Sequence, residues 1–258
     1  MVFKKFLFAL LFCSVMAFGT AAFADTITVR ADSWPPYNAD PAADHPGYVV
    51  EILKAIYTPL GHTIDYQTMP WTRAVEDATA GKIDAIIGAS IADAPKCVYP
   101  AEAMGAINNI FLVKKGSAWK YAGVSSLKGV KLGVIDGYSY DDGADIDKYI
   151  ASKAADVEIM TGDGSLDRNL KKLQAGRLDT VLENDIVITA TLKTLGLDPA
   201  GFENAGAANS SKDLFVAFAP GNEKTKQYAA QWDEGIKKLR ASGELRKILD
   251  RYSVQDWK

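Results

Sequence analysis

The aromatic pair in Ser33-Trp34-Pro35-Pro36-Tyr37 and the lone Trp71 are the side chains best suited to chemistry in this chain, and that chemistry is contact with a ligand. Flat rings wall an apolar or planar body, and the two prolines restrict the backbone so that Trp34 and Tyr37 are held in place. Arg73 lies two residues beyond Trp71 and is a candidate cation for an anionic group, since guanidinium pairs bidentately with a carboxylate. Gly88 and Ser90 close a short apolar run and offer a backbone N–H and a hydroxyl. Tyr138, Ser139 and Tyr140 open a predicted helix, where free N–H groups favour an anion or a carbonyl. Asn184 offers an amide after a second apolar run.

Each residue also has a plainer reading. Trp71 could pack within its own lobe, and an arginine near a helix start is usually solvated. Asp84 and Asp179 look like a catalytic pair, but each follows a Gly turn at the start of a strand, which is a structural position. Asp185 reads as a helix cap and Cys97 as a buried, inert thiol. Catalysis by a carboxylic acid of raised pKa would fall to Glu183 or Asp185. No set of nucleophile, base and orienting group is visible, and there is no phosphate loop, so an enzyme is not expected. His45 and His62 are the only histidines, and no Cys/His spacing suggests a metal. No cofactor is expected.

These residues need elements that bring them to one place, and an internal echo supplies them. Ala80-Gly81-Lys82-Ile83-Asp84 leads into one short apolar run, and Ala175-Gly176-Arg177-Leu178-Asp179 leads into another. Each follows a segment with helical spacing. The repeat predicts two similar α/β units, each with a strand delivering polar groups (Ser90 in one, Asn184 in the other) to a shared cleft. Alternating strands and helices predict mostly parallel sheets with helices on both faces. Strands are expected over 26–32, 63–69, 107–115, 131–136, 157–161 and 214–219. The chain should close in helix over 223–242, with Gly243 before a last turn near Tyr252. Lobe one is expected to comprise 26–113 plus 216–258, and lobe two 114–215, with one extended strand at each crossing.

The chain opens with Lys4 and Lys5, an apolar run over 6–18, and Ala22-Phe23-Ala24. This pattern predicts a cleavable secretory signal over 1–24, and export to the periplasm. Loss of that segment leaves 27 basic residues against 32 acidic ones, with Cys97 as the remaining cysteine. Mild acidity argues against nucleic acid as a partner, and a single thiol excludes an internal disulfide. The mature chain is expected to act as a monomer.

The order and spacing of these features resemble the family 3 extracellular solute-binding proteins. The resemblance rests on the Trp-Pro-Pro-Tyr turn, Gly47-Tyr48-Val49-Val50-Glu51-Ile52, Ala80-Gly81-Lys82-Ile83-Asp84 and the closing helices. It implies two α/β lobes joined by two crossing strands, closing by hinge motion on a small molecule and presenting it to an ABC permease. A receptor that feeds a membrane signalling protein would need the same hinge, and a few dehydratases share the fold. The resemblance also implies a Thr and an Arg gripping an α-carboxylate and an Asp holding the α-ammonium. Here Ala92 and Pro95 stand at the first two places and Asn184 at the third. The expected ligand is therefore a small polar or anionic molecule with an apolar or aromatic body, and not a common polar amino acid.

Overall fold

The computed structural model describes residues 25–208 and 212–258, so the predicted signal over 1–24 lies outside the described residues. Two five-stranded sheets form, and the second repeats the strand order of the first. The first sheet contains β1 (Thr26–Ala31), β2 (Thr63–Thr68), β3 (Ala85–Ala89), β4 (Gly105–Ile107) and β10 (Lys212–Phe218), ordered β2-β1-β3-β10-β4. The second contains β5 (Asn109–Lys114), β6 (Leu132–Ile135), β7 (Val157–Met160), β8 (Thr180–Asn184) and β9 (Phe202–Ala207), ordered β7-β6-β8-β5-β9. The echo strands are β3 and β8, at the centre of their sheets.

The echo has a concrete purpose at each copy. Asp84 Oδ2 accepts from the backbone N–H and the hydroxyl of Thr28, at 2.8 and 2.6 Å, fastening β3 to β1. Asp179 Oδ2 accepts from the Lys131 backbone N–H at 2.8 Å, fastening the start of β8 to the start of β6. The Gly turn before each aspartate aims its carboxylate at the neighbouring strand. Both aspartates are thus structural.

The sheets are mixed and not mostly parallel. β1 pairs parallel with β2 and β3, and β6 with β7 and β8, whereas β10 and β5 run antiparallel to both of their neighbours. A strand that has just crossed from the other unit enters its new sheet from the opposite end, and this reverses its direction. The strand expected over 107–115 is split at Asn108, with β4 in the first sheet and β5 in the second. The strand expected over 214–219 starts earlier, at Lys212, inside the first sheet. β9 escapes a reading by pattern, because Phe-Glu-Asn-Ala-Gly-Ala has no β-branched residue; it is a strand through pairing on the free edge of β5.

Helices α1 (Tyr48–Tyr57), α2 (Trp71–Thr79), α6 (Glu223–Ala241) and α7 (Glu244–Arg251) accompany the first sheet, and α3 (Asp145–Ala151), α4 (Ser165–Gln174) and α5 (Asp185–Thr194) the second. Val49, Val50, Ile52, Leu53 and Ile56 of α1 are buried with Tyr228, Trp232 and Ile236 of α6. Each such side chain contributes roughly 1.5–3 kcal/mol by leaving water. The Trp232 indole N–H also donates to the Glu102 carbonyl at 2.8 Å, so this large ring is buried with its polar atom satisfied.

Candidate functional site

A cavity of about 630 Å³ opens between the two sheets. Trp34, Trp71, Gly88 and Ser90 line it from the first unit, and Asn109, Tyr138 and Ser139 from the second. Ile107 of β4 and Leu214 and Phe215 of β10 form its apolar floor. Three rings meet there: Tyr138 stands edge-on to Trp34 at 6.4 Å and to Trp71 at 6.3 Å between centroids. A smaller cavity of about 190 Å³ shares Asp32, Trp34 and Tyr138 with the first, so these three residues form the partition between the two spaces.

Local folding explains why Trp34 is fixed. Its carbonyl accepts from Tyr37 N at 3.0 Å, which closes the Trp-Pro-Pro-Tyr turn, and its N–H donates to the Asn38 carbonyl at 2.9 Å. The ring stacks on Tyr37 at 4.4 Å. Its far side passes over Gly88, where φ is +94°; a Cβ there would sit 3.5 Å from the indole. Its Nε1 donates across the cleft to Glu183 Oε1 at 3.1 Å. Among the described residues three further side-chain bonds also cross between the units: the Tyr138 hydroxyl donates to Asp32 Oδ2 at 2.5 Å, Asn184 Nδ2 donates to the Tyr37 hydroxyl at 3.3 Å, and Lys212 Nζ donates to Asp142.

Carboxylates dominate the electrostatics. Asp32, Asp93, Asp142 and Asp213 line the cavity against a single ammonium, Lys212, which is ion-paired with Asp142. Burial pushes the Asp32 carboxyl up to about 7 although Tyr138 donates to it, and burial pushes Asp93 up to about 6 although the Ser90 backbone N–H donates to it at 2.7 Å. Behind Trp34, Glu183 is 1% exposed and burial raises it to about 8, opposed by the N–H groups of Asn184 and Trp34. Its second oxygen, Oε2, is buried without a hydrogen-bond partner.

The structure brings together Trp34, Trp71, Gly88, Ser90, Tyr138 and Ser139 of the predicted site. The other four do not line the cavity. Arg73 points to solvent with its side chain 72% exposed, faces Asp77 one turn along α2 and is absent from the cavity lining. Tyr37 lies beneath Trp34 and donates to the Ala106 carbonyl at 2.6 Å. Tyr140 is buried in the second unit, where its hydroxyl accepts from Ile135 N at 2.8 Å. Asn184 is fully buried and caps α5 through Ile186 N at 3.1 Å.

Tyr138, Ser139 and Tyr140 do not open a helix, since α3 begins at Asp145, and the Tyr140 N–H expected to receive an anion is already occupied. Asp147 accepts from the Ser139 hydroxyl, Tyr140 N and Gly143 N at 2.7, 2.8 and 2.7 Å. Of the two acids considered for catalysis, Glu183 is sealed behind Trp34 and Asp185 accepts from Asn108 Nδ2 at 2.8 Å. Sequence reasoning missed Asp32, Asp93, Asn109 and the Asp142–Lys212 pair. Asp32 carried a usable signal, since it ends the first strand just before the Trp-Pro-Pro turn; the others depend on how the two units face each other.

Residues 27–255 match the model for the bacterial extracellular solute-binding proteins, family 3. A relative from Escherichia coli K12, the putative ABC transporter arginine-binding protein 2, is 24% identical over 96% of this chain and 98% of its own length. A substrate-binding protein of an ABC uptake transporter from Streptococcus pneumoniae, solved with bound histidine, superposes with a TM-score of 0.73 at 18% identity, covering 90% of this chain and 94% of that one. A histidine kinase sensor domain similar to periplasmic binding proteins superposes with a TM-score of 0.71 at 20% identity, over 88% and 95% of the two chains.

Proposed function

The chain belongs to the bacterial extracellular solute-binding proteins of family 3, and on that footing we propose that it is a periplasmic receptor that closes on one small molecule and hands it to an ABC permease. The observation that carries this reading is the cavity of about 630 Å³ whose walls come from both units. Its size suits a small ligand. A ligand held by both walls favours the closed arrangement through contacts absent from the open one. The units joined at Asn108 and between β9 and β10 are the moving lobes, and the protein acts as a monomer that binds its ligand without chemical turnover.

Native mass spectrometry of the mature protein taken from its own periplasm should show a one-to-one adduct with a small molecule. Reloading the emptied protein with that molecule should reduce the radius of gyration in small-angle scattering. Absence of any adduct overturns the receptor reading; an adduct with an unchanged radius overturns closure. The likeness to a kinase sensor domain supports a second reading, in which the closed form is presented to a membrane signalling protein. Deleting the gene separates the two: loss of uptake of the ligand marks transport, and uptake intact with loss of a transcriptional response marks sensing.

A further inference from the structure

We propose that the ligand is an organic cation with an apolar body and no carboxylate. This inference rests on the receptor reading above and names the class of molecule that the same cavity takes. The lysine in the lining and the helix-start N–H groups that could hold an anion there are engaged within the chain. Lys212 is paired with Asp142. The N–H groups at the turn before α3 belong to Asp147 and Asp141. The first free N–H of α5, that of Ile186, is held by Asn184 and Asp185. Among the described residues no arginine lines the cavity, and the three intervening residues, Asn209, Ser210 and Ser211, carry no charge. An anion would enter among carboxylates with no cation free to receive it.

A cation meets the opposite situation. Asp32 and Asp93 lie on the cavity wall, and the hydroxyl oxygen of Ser90, whose backbone N–H donates to Asp93 at 2.7 Å, is buried without a hydrogen-bond partner. Each of the three can accept from an ammonium or amidinium donor. The rings of Trp71 and Tyr138 in the lining can attract an organic cation, most strongly once water is excluded. Ile87, Ile107 and Leu214 cover its apolar body.

Matched probes test the class by isothermal titration of the full mature chain. Agmatine and phenethylamine should bind at least about tenfold more tightly than L-arginine and 3-phenylpropionate, their carboxylate-bearing counterparts, a difference of about 1.4 kcal/mol. Asp93→Asn, which keeps an acceptor for Ser90 N, should weaken both amines by about tenfold or more without lowering the melting temperature of the empty protein; Asp32→Asn serves as a second, independent neutralisation. Tighter binding of either carboxylate, or amine affinity unchanged in both variants, overturns the proposal and leaves the receptor reading standing. Failure of all four probes together with an anionic or neutral native adduct does the same, whereas the absence of any adduct removes the receptor reading itself.

Discussion

Trp34 Nε1 and Glu183 Oε1 lie 3.1 Å apart across the cleft, so a side chain of the turn after β1 is tied to a carboxyl of the other lobe's central strand. Glu183 also accepts at Oε1 from the Asn184 backbone N–H at 2.7 Å, while Oε2 has no partner. The carboxyl is satisfied at one oxygen only, in a place from which water is excluded. That favours its neutral form.

Stability should therefore fall as pH rises from the ordinary glutamate value of 4.5 toward about 8. Across that window the folded protein holds a proton that the unfolded chain has released, so the unfolded state gains with pH. Asp32, raised to about 7, contributes in the same direction. The Glu183→Gln variant keeps the acceptor at Oε1 and removes the titration. It should melt several degrees higher than the parent near pH 8 and show a shallower pH dependence, since a tenfold difference in proton affinity between the folded and unfolded states corresponds to about 1.4 kcal/mol. Calorimetric melting temperatures at several pH values measure it; an unchanged slope would count against a neutral Glu183.

Trp34→Phe should retain the stack on Tyr37 and lose the bond across the cleft. The empty protein then shifts toward an open form, read as a larger radius in small-angle scattering. An unchanged radius would show that Trp34 does not hold the lobes together.

Gly88→Ala tests the end of β3, which leads into Ser90. Space is adequate, since a Cβ would meet the Trp34 ring at 3.5 Å, but φ of +94° strains any L side chain. The expected cost is about 1 kcal/mol or more in urea unfolding. A neutral result would mean that the strand end relaxes freely.

The two echo aspartates should differ in weight. Asp84 accepts two bonds from Thr28 in a half-buried place, and Asp179 accepts one from Lys131 at an exposed one. Asp84→Ala should cost about 1–3 kcal/mol, and Asp179→Ala distinctly less, in the same urea assay. Equal losses would contradict the reading of the echo as a strand clamp.

Arg73→Ala should change neither the affinity for agmatine nor the melting temperature measurably, because its side chain is 72% exposed and its partner Asp77 also pairs with Lys82 at 2.8 Å. A tenfold loss of affinity by calorimetry would return Arg73 to the site.

The sequence was most legible where a local rule acts alone. The Gly-Lys-Ile-Asp and Gly-Arg-Leu-Asp echoes announced two central strands because a Gly stop followed by an apolar run needs no distant partner to be recognised. The Trp-Pro-Pro-Tyr turn announced a fixed aromatic for the same reason. The charge of the cleft could not be read this way. Arg73 and Trp71 are neighbours in sequence, yet α2 sends one to solvent and the other into the cavity. Asp147 fills the N–H groups near Tyr140 from the first turn of α3, and Lys212 meets Asp142 from 70 residues away. The strand β9 likewise exists through its neighbour β5 and not through its own residues.

The sheet orders also set the order in which the molecule can be completed. All five strands of the second sheet lie within one continuous stretch, from Asn109 to Ala207. In the first sheet β10 sits between β3 and β4, and it is the last strand to be synthesised. Neither of its neighbours can substitute for it, and the helices α6 and α7 that cover α1 come later still. The first lobe therefore stays unfinished until nearly the whole chain is available, and closing it joins segments more than a hundred residues apart, which slows folding. The lobe made first is the lobe that finishes last.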